Sequence, residues 1–342
     1  MLDLLPDNIG THIALVVVSV AILWKSADWF VEGAVGIAKR LNVPPMLVGL
    51  VLVSIATTAP ELMASLMAAL QGIPEVALGN AVGSIMVNVS VALGVAAVVA
   101  STPLTADPRL LRTSAAFSLL VMCLCFAMAF NGTLARWEGA LLLAMYLVYV
   151  SVSYVRARRS VARGAEAIEA DADVAEIEAA VGDLSGGKIV LLFVVGAVGI
   201  ISGSRCLLHG AVGIAEYCKL PSVVIGLTVV AIGTSVPEIA TVIASALKKE
   251  SSVGIGNVVG ANILNICWVA GLSAMANPLS SPKSVLLIMF PAMLIIVLAM
   301  LAMFRFGHRL VRWNGVVLLA LYVMYLVVLL MVAPSAAAAV NG

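Results

Sequence analysis

Two short polar runs, each closing on proline and glutamate, stand in the middle of long apolar stretches: Ala56-Thr57-Thr58-Ala59-Pro60-Glu61 and Gly233-Thr234-Ser235-Val236-Pro237-Glu238. A carboxylate at membrane depth is unfavourable and usually marks an ion or substrate pathway. A proline within a helix has no N–H to donate and crowds the preceding turn, so carbonyls one turn earlier, near Ala56 and Gly233, are released. In lipid such groups need protein, water or an ion. The hydroxyls of Thr57, Thr58, Thr234 and Ser235 add neutral oxygens, and such donors beside a carboxylate suit a hard cation such as Ca2+ or Na+. A structural kink explains either copy alone, but not glutamate after proline in both.

Two glycine-rich runs follow at matching distances, Gly79-Asn80-Ala81-Val82-Gly83-Ser84 with Asn88, and Gly256-Asn257-Val258-Val259-Gly260-Ala261 with Asn265. Small residues let helix backbones approach closely, so Gly79 to Gly83 and Gly256 to Gly260 read as packing motifs. Ser84 and Asn88, however, are four apart, and a helix puts the hydroxyl and the amide oxygen on one face. Two kinked helices and two glycine-rich helices meeting at the midplane would aim oxygens from four helices at one point.

The elements that must position these residues form two copies of one module. Pro60 to Pro237 and Glu61 to Glu238 are both 177 residues apart, and the same offset carries Asn88 onto Asn265, Gly94 onto Gly271, Gly33 onto Gly210 and Gly36 onto Gly213. At an offset of 176, Arg136-Trp137 maps onto Arg312-Trp313, and Tyr146 and Tyr149 map onto Tyr322 and Tyr325. Self-similarity at a fixed interval is the mark of an internal repeat.

A hydrophobic fraction of 63% with 11% charged residues excludes an ordinary soluble globule and predicts an all-α polytopic membrane protein in contact with the lipid bilayer. A net charge of +1 and the lack of a basic stripe with interleaved aromatics give no sign of nucleic-acid binding. No lysine or arginine precedes Lys25, so the first apolar segment lacks the basic start of a cleaved leader and is expected to stay in the protein. About 20 residues cross a bilayer core. On that measure ten transmembrane helices are expected, near 11–38, 44–70, 74–100, 109–130, 136–155, 188–216, 221–247, 251–276, 283–304 and 312–332. Residues 1–155 form a first five-helix repeat, 156–187 a linker and 188–342 a second repeat. Five is odd, so the second repeat enters the membrane inverted, as in many secondary transporters.

With the amino terminus outside, inner loops hold fourteen lysines and arginines and outer loops only Arg136, Lys219 and Lys283. The positive-inside rule then puts both termini outside and the linker in the cytoplasm of a cell exporting across its plasma membrane. The linker turns from basic to acidic through Glu166, Glu169, Asp171, Asp173, Glu176, Glu178 and Asp183, but lacks the order of an EF-hand loop and reads as a solvated helix or strap. The five cysteines lie in or beside apolar segments; Cys123 and Cys125, two apart, point away from each other on a helix and read as small apolar filler.

Charge arithmetic restricts the cargo. Glu61 and Glu238 supply two negative charges, and Asn88 and Asn265 none. One Ca2+ or two Na+ balance such a site, while a further Na+ leaves an excess positive charge. Buried carboxylates also take up protons, which keeps both sodium and proton coupling open.

The paired segments resemble the signature repeats of the calcium/cation antiporter superfamily, and are most similar to those of prokaryotic sodium/calcium exchangers. Thr57 to Glu61 with Gly79-Asn80 to Asn88, and Gly233 to Glu238 with Gly256-Asn257 to Asn265, carry the likeness, as does Ser26-Ala27-Asp28-Trp29-Phe30-Val31-Glu32-Gly33. The resemblance implies that Glu61 and Glu238 bridge Ca2+ and Na+ sites at the centre of the protein. It also implies that Thr57, Thr58, Ser84, Asn88, Thr234, Ser235 and Asn265 supply the other oxygens, with carbonyls from Ser54 and Ala231. It further implies Ca2+ export against inward Na+, the first and sixth spans sliding across the other eight. The ions are cargo; no cofactor, catalytic residue or obligate protein partner is expected.

This sequence departs from the family pattern in three places. Ala261 stands where the match to Ser84 calls for serine, Asn265 occupies a position that is aspartate in some members, and Arg205 and His209 replace the acidic character of Asp28 and Glu32. The first two bear on sodium stoichiometry and on the coupling ion. For the third, charges within a membrane tend to pair, so Asp28 and Arg205 either bridge spans one and six or snorkel separately toward the interface with Lys25 and Glu32. Alternatives to the Na+-coupled antiporter are a proton-coupled or other divalent-cation antiporter of the same fold, and a cation channel. An enzyme is disfavoured, since no nucleophile with a partner base appears within the spans.

Overall fold

The computed structural model describes residues 8–40, 57–106, 108–162, 184–220, 222–247, 251–280, 283–307 and 309–340. These are almost entirely helical. In chain order they form α1 (Ile9–Arg40), α2 (Ala59–Leu70), α3 (Pro74–Val99), α4 (Pro108–Ala129), β1 (Thr133–Leu134), α5 (Arg136–Ala162) and α6 (Gly186–Cys218). There follow α7, a helical arm running without a gap through Ser222–Ile225, Gly226–Val230 and Ala231–Thr234, and α8 (Val236–Leu247). The chain continues with α9, through Ser251–Leu264, Asn265–Ala270 and Gly271–Ala276, then β2 (Leu279–Ser280), α10 (Lys283–Gly307) and α11 (Arg312–Val340).

Among the described residues eight helices are long and apolar enough to cross a membrane, and the pair Gly226–Thr234 and Val236–Leu247, bent by 55°, makes a ninth. The apolar helix α2 falls in the latter half of the second expected span, whose first half lies outside the described residues, as do the acidic linker run from Glu166 to Asp183 and the carbonyl of Ala56. The predicted fifth span ends near 155, but α5 continues to Ala162, carrying the start of the basic segment.

Two of the spans make the core. Pro74–Val99 and Gly254–Ala276 are mostly buried inside the protein, whereas most of α1 is not. The peripheral helices instead turn apolar side chains such as Val17, Val148, Val198 and Met324 outward, where lipid replaces protein as the apolar neighbour.

The inverted symmetry is visible in the pairing of α1 with α6. Gly36 packs on Ile189, Gly199 on Ser26 and Gly210 on Leu15, so each step forward on α1 is a step back on α6, and the two run antiparallel. Each end of the seam is lined by glycines: Gly33 meets the backbone of Phe193 and Gly36 meets Ile189, and the equivalent Gly210 meets Val16 and Gly213 meets the His12 ring. Close backbone approach of this kind is what small residues provide between membrane helices. Phe30 and Phe193 stack at 4.7 Å between ring centres.

This geometry decides between the two readings of Asp28 and Arg205. Asp28 meets Lys25 at 3.8 Å on the exposed face of α1. Under inverted symmetry, equivalent positions on two antiparallel helices diverge from the crossing point. Asp28 lies two residues past Ser26 and therefore opposite residue 197, eight residues from Arg205, or about 12 Å at the rise of an α-helix.

The two repeats interlock. Gly94 of α3 sits against Gly315 of α11, and the equivalent Gly271 of α9 sits against Gly139 of α5. Arg312 donates to the carbonyl of Ala100 and Arg136 to that of Ala276, so each fifth helix of one repeat caps the third span of the other. Short straps close both faces: Thr133 and Leu134 pair antiparallel with Ser280 and Leu279, and Leu104 exchanges two 2.8 Å backbone hydrogen bonds with Leu310.

Candidate ion-binding site

Pro60 and Pro237 do more than kink their spans. Each occupies the second position of a new helix, α2 or α8, where a missing N–H leaves no hydrogen bond unmade. The residues just before, Thr58 and Ser235, are equivalent in the repeat and share one backbone conformation, φ −85° with ψ 4° and 8°. That is the sparsely populated region next to the α-helix, which turns the chain and, between α7 and α8, breaks the span. Glu61 and Glu238 consequently lie in the first turn of a half-helix, whose free N–H groups and dipole favour negative charge.

The partner helices are also irregular at the site. Asn88 lies in a π-helical turn, Val87–Ala92, and Asn265 opens another, Asn265–Ala270. A π turn shifts the hydrogen-bond ladder by one residue and recurs at functional positions. Packing is crosswise: the turn bearing Asn88 lies on α8, which bears Glu238, and the turn bearing Asn265 lies on α2, which bears Glu61.

The structure brings together most of the predicted residues. Glu61, Thr58, Ser84, Asn88, Thr234, Ser235, Ala231 and Asn265 are fully buried and Glu238 is 1% exposed. Ser235 Oγ donates to Glu61 Oε1 at 3.1 Å, linking the two repeats directly. Thr57 is half-buried. The Ala231 carbonyl already accepts Ser235 N at 3.1 Å and Thr234 Oγ1 at 3.4 Å, so it has less to offer an ion than the carbonyl of Gly233, whose helical donor would be Pro237. Ser54 lies outside the described residues.

Two residues join the site that sequence reasoning left out of it. Asn80 donates to the Glu61 carbonyl at 3.2 Å and to Ser65 Oγ at 2.9 Å, and accepts from Thr234 Oγ1 at 3.3 Å. Ser65 Oγ in turn donates to the Ala77 carbonyl at 3.3 Å. These bonds tie α2, α3 and α7 behind the carboxylate. Asn80 is legible in the Gly-Asn pair of the repeat; Ser65 is not, because its counterpart is Val242.

What remains is a set of polar atoms with nothing to bond. Among the described residues, Glu61 Oε2, both carboxylate oxygens of Glu238, Ser84 Oγ, and both amide atoms of Asn88 and Asn265 are buried without a hydrogen-bond partner. Leaving even one such group unsatisfied costs about 1–3 kcal/mol. No group of three or more His, Cys, Asp and Glu gathers among the described residues. Two carboxylates among neutral oxygens match a hard cation held reversibly rather than a transition metal.

A family model described as sodium/calcium exchanger protein matches residues 11–155 and 188–331. The chain belongs to the sodium/calcium exchanger family. It is 31% identical to the sodium/calcium exchanger MaX1 of Methanosarcina acetivorans over 94% of this chain and 99% of that one. It is 33% identical to the inner membrane protein YrbG of Escherichia coli over 78% of this chain and 80% of that one. Among solved structures, the sodium-calcium exchanger NCX_Mj in crystals soaked with Na+ and Sr2+ superposes with a TM-score of 0.62 at 26% identity, covering 93% of this chain and 98% of that one. Membership makes the chain a multi-pass membrane transporter, with its polar centre where the two repeats cross.

Proposed function

We propose that the chain exports Ca2+ in exchange for Na+ by alternating access, with Glu61 and Glu238 as the charged ligands. Ser84, Asn88, Asn265, Thr57, Thr58, Thr234, Ser235 and backbone carbonyls of the broken spans complete the coordination. The observation that carries this is the set of buried oxygens that, among the described residues, have no hydrogen-bond partner and sit on the crosswise-packed helices bearing the two glutamates and two asparagines. Related exchangers that carry Ca2+ and Na+ in their names support the choice of ions. The excess of lysine and arginine on one side supports termini outside and the linker in the cytoplasm.

The pair α1 and α6 is the natural moving unit. It meets α7, α8 and α2 across the site's flank, its own seam is glycine-lined, and much of its outer surface faces lipid. Sliding this pair along the half-helices would open the pocket to either side in turn, as expected where a site lies at the interface of inverted repeats.

The test is Ca2+ uptake into proteoliposomes loaded with Na+, K+ or choline at fixed pH, with Glu238→Gln as control. Uptake only from Na+-loaded vesicles, lost in the variant, is the expected result. Uptake that ignores Na+ and follows an imposed pH gradient would move the protein to proton coupling. Flux without any counter-ion would make it a channel.

A further inference from the structure

Away from the polar centre, a cavity of about 340 Å3 opens where α3 ends and α11 begins, with Ser101, Thr102, Pro103, Arg312 and Trp313 in its lining. Its size falls in the range of clefts that take small ligands, about 300–1,000 Å3. Ala100, on its wall, lies twelve residues beyond Asn88, about 18 Å along the helix. Two crossings, α4 and α5, separate this end of α3 from the linker, so the cavity lies on the linker's face of the membrane.

The lining has the chemistry of an anion site open to lipid. Arg312 donates to the Ala100 carbonyl at a long 3.5 Å, which uses one of the five N–H donors of a guanidinium. Ser101 and Thr102 are exposed, and their hydroxyls make no hydrogen bond among the described residues. Trp313 is 71% exposed, an amphipathic ring of the kind that membrane proteins place at headgroup depth. Residues 101–112 and 305–313 hold five arginines and one carboxylate, Asp107, so the surroundings are cationic. Asn314 already accepts from Val311 N at 2.9 Å at the start of α11, so side chains rather than the helix terminus make the site.

The inverted repeat supplies a comparison within the same molecule. On the other face Arg136 donates to the Ala276 carbonyl and Trp137 is exposed in the same way. The residues after that carbonyl are Asn277 and Pro278, and the Asn277 amide is spent on the Ala69 carbonyl at 2.9 Å. Ser280 donates to Glu75 at 3.1 Å, and Lys283 lies 5.3 Å from the centre of the Phe130 ring. Carboxylates and internal bonds thus occupy the polar groups there, whereas on the linker's face a guanidinium and two hydroxyls stand open together.

We propose that this cavity binds the phosphate group of an anionic phospholipid from the leaflet on the linker's face. Arg312 and the Ser101 and Thr102 hydroxyls hold the phosphate oxygens, and Trp313 lies along the glycerol and upper acyl chains. Guanidinium and phosphate form charge-assisted, geometrically matched hydrogen bonds. Basic pockets between membrane helices are suited to such headgroups. Because Ser101 follows the third span of one repeat and Arg312 opens the fifth helix of the other, a bound headgroup clamps the crossing at which Gly94 meets Gly315. The proposal is independent of which ions the protein exchanges.

The experiment titrates the full-length, delipidated protein in mild detergent with phosphatidylglycerol, phosphatidylcholine or inorganic phosphate. Melting temperature is followed, and retained lipid is counted by native mass spectrometry. Phosphatidylglycerol should stay bound and raise the melting temperature, and phosphatidylcholine should do so far less. Arg312→Gln should weaken phosphatidylglycerol binding about tenfold or more, the loss of one charge-assisted contact. Arg136→Gln, at the matching place on the other face, should leave it unchanged. Ser101→Ala combined with Thr102→Ala, at exposed loop positions, should weaken it by a smaller factor and keeps the test decisive if the Arg312 variant does not fold. Equal responses to the two lipids, or equal loss with Arg136→Gln, would overturn the proposal. So would undiminished binding in the Arg312 or hydroxyl variants. Stabilisation by inorganic phosphate with no effect of phosphatidylglycerol would make this a soluble-anion site and overturn the lipid assignment.

Discussion

Asn80 donates from one amide nitrogen to the Glu61 carbonyl and to Ser65, while its oxygen takes the Thr234 hydroxyl, so a single neutral side chain joins three helices behind the ion pocket. Truncating it leaves Ser65 Oγ without its buried donor, while Thr234 Oγ1 keeps its 3.0 Å bond to the Val230 carbonyl. We expect Asn80→Ala to destabilise the protein by about 1–3 kcal/mol, the penalty for stranding buried polar groups. It should also weaken Ca2+-dependent stabilisation, because the Glu61 backbone loses its brace; thermal unfolding in detergent with and without Ca2+ reads both effects. An unchanged melting temperature would show that these bonds are not maintained in the protein. The residues carrying charge and hydroxyls at the site were legible because they recur at a fixed offset. Ser65 was hidden for the converse reason, since Val242 stands in its place in the other repeat and an unrepeated serine on an apolar helix carries no signal.

Helix positions were readable from hydropathy and proline, but helix character was not. Nothing in a run such as Val87-Asn88-Val89-Ser90 distinguishes a π turn from the α-helix on either side; that difference arises from packing against the half-helix of the opposite repeat. The prolines announced a disturbance without saying that it was a full break with a new N-terminus. The Asp28 and Arg205 comparison shows a subtler limit: equivalence in sequence implies proximity only at the crossing point of an antiparallel pair. The register of α1 on α6 is therefore worth testing directly. Ser26→Cys combined with Gly199→Cys should cross-link on mild oxidation, because a β-carbon at 199 would stand 2.8 Å from that of Ser26 and needs only a small opening to reach disulfide geometry. Asp28→Cys with Arg205→Cys, about 12 Å apart along the axis, should not. Cross-linking of the second pair in preference to the first, read by gel shift after cleavage in the linker, would reverse the orientation assigned to these helices.

Taken whole, the molecule is two repeats that cannot be separated without exposing what each hides. The sequence revealed two modules with a linker between them, and residues 156–187 fall where a divided chain would be cut. It gave no sign that the modules interpenetrate. Yet Gly139 of the first repeat packs on Gly271 of the second, Gly315 of the second packs on Gly94 of the first, and the buried Ser235 bonds Glu61 across the boundary. Either half alone would present its glycine-lined third span to lipid without the fifth helix that covers it. The first half would also hold Glu61 at membrane depth without the Ser235 hydroxyl that bonds it in the whole protein, a strongly disfavoured placement. Expressed separately, segments 1–162 and 184–342 should therefore aggregate or be degraded. Expressed together, they should assemble, co-purify through a tag on one of them, and restore Na+-dependent Ca2+ uptake, since the linker supplies none of these contacts. A monodisperse, helical first half purified alone would contradict this, and would mean that the interlocked seams form only after each repeat has folded independently.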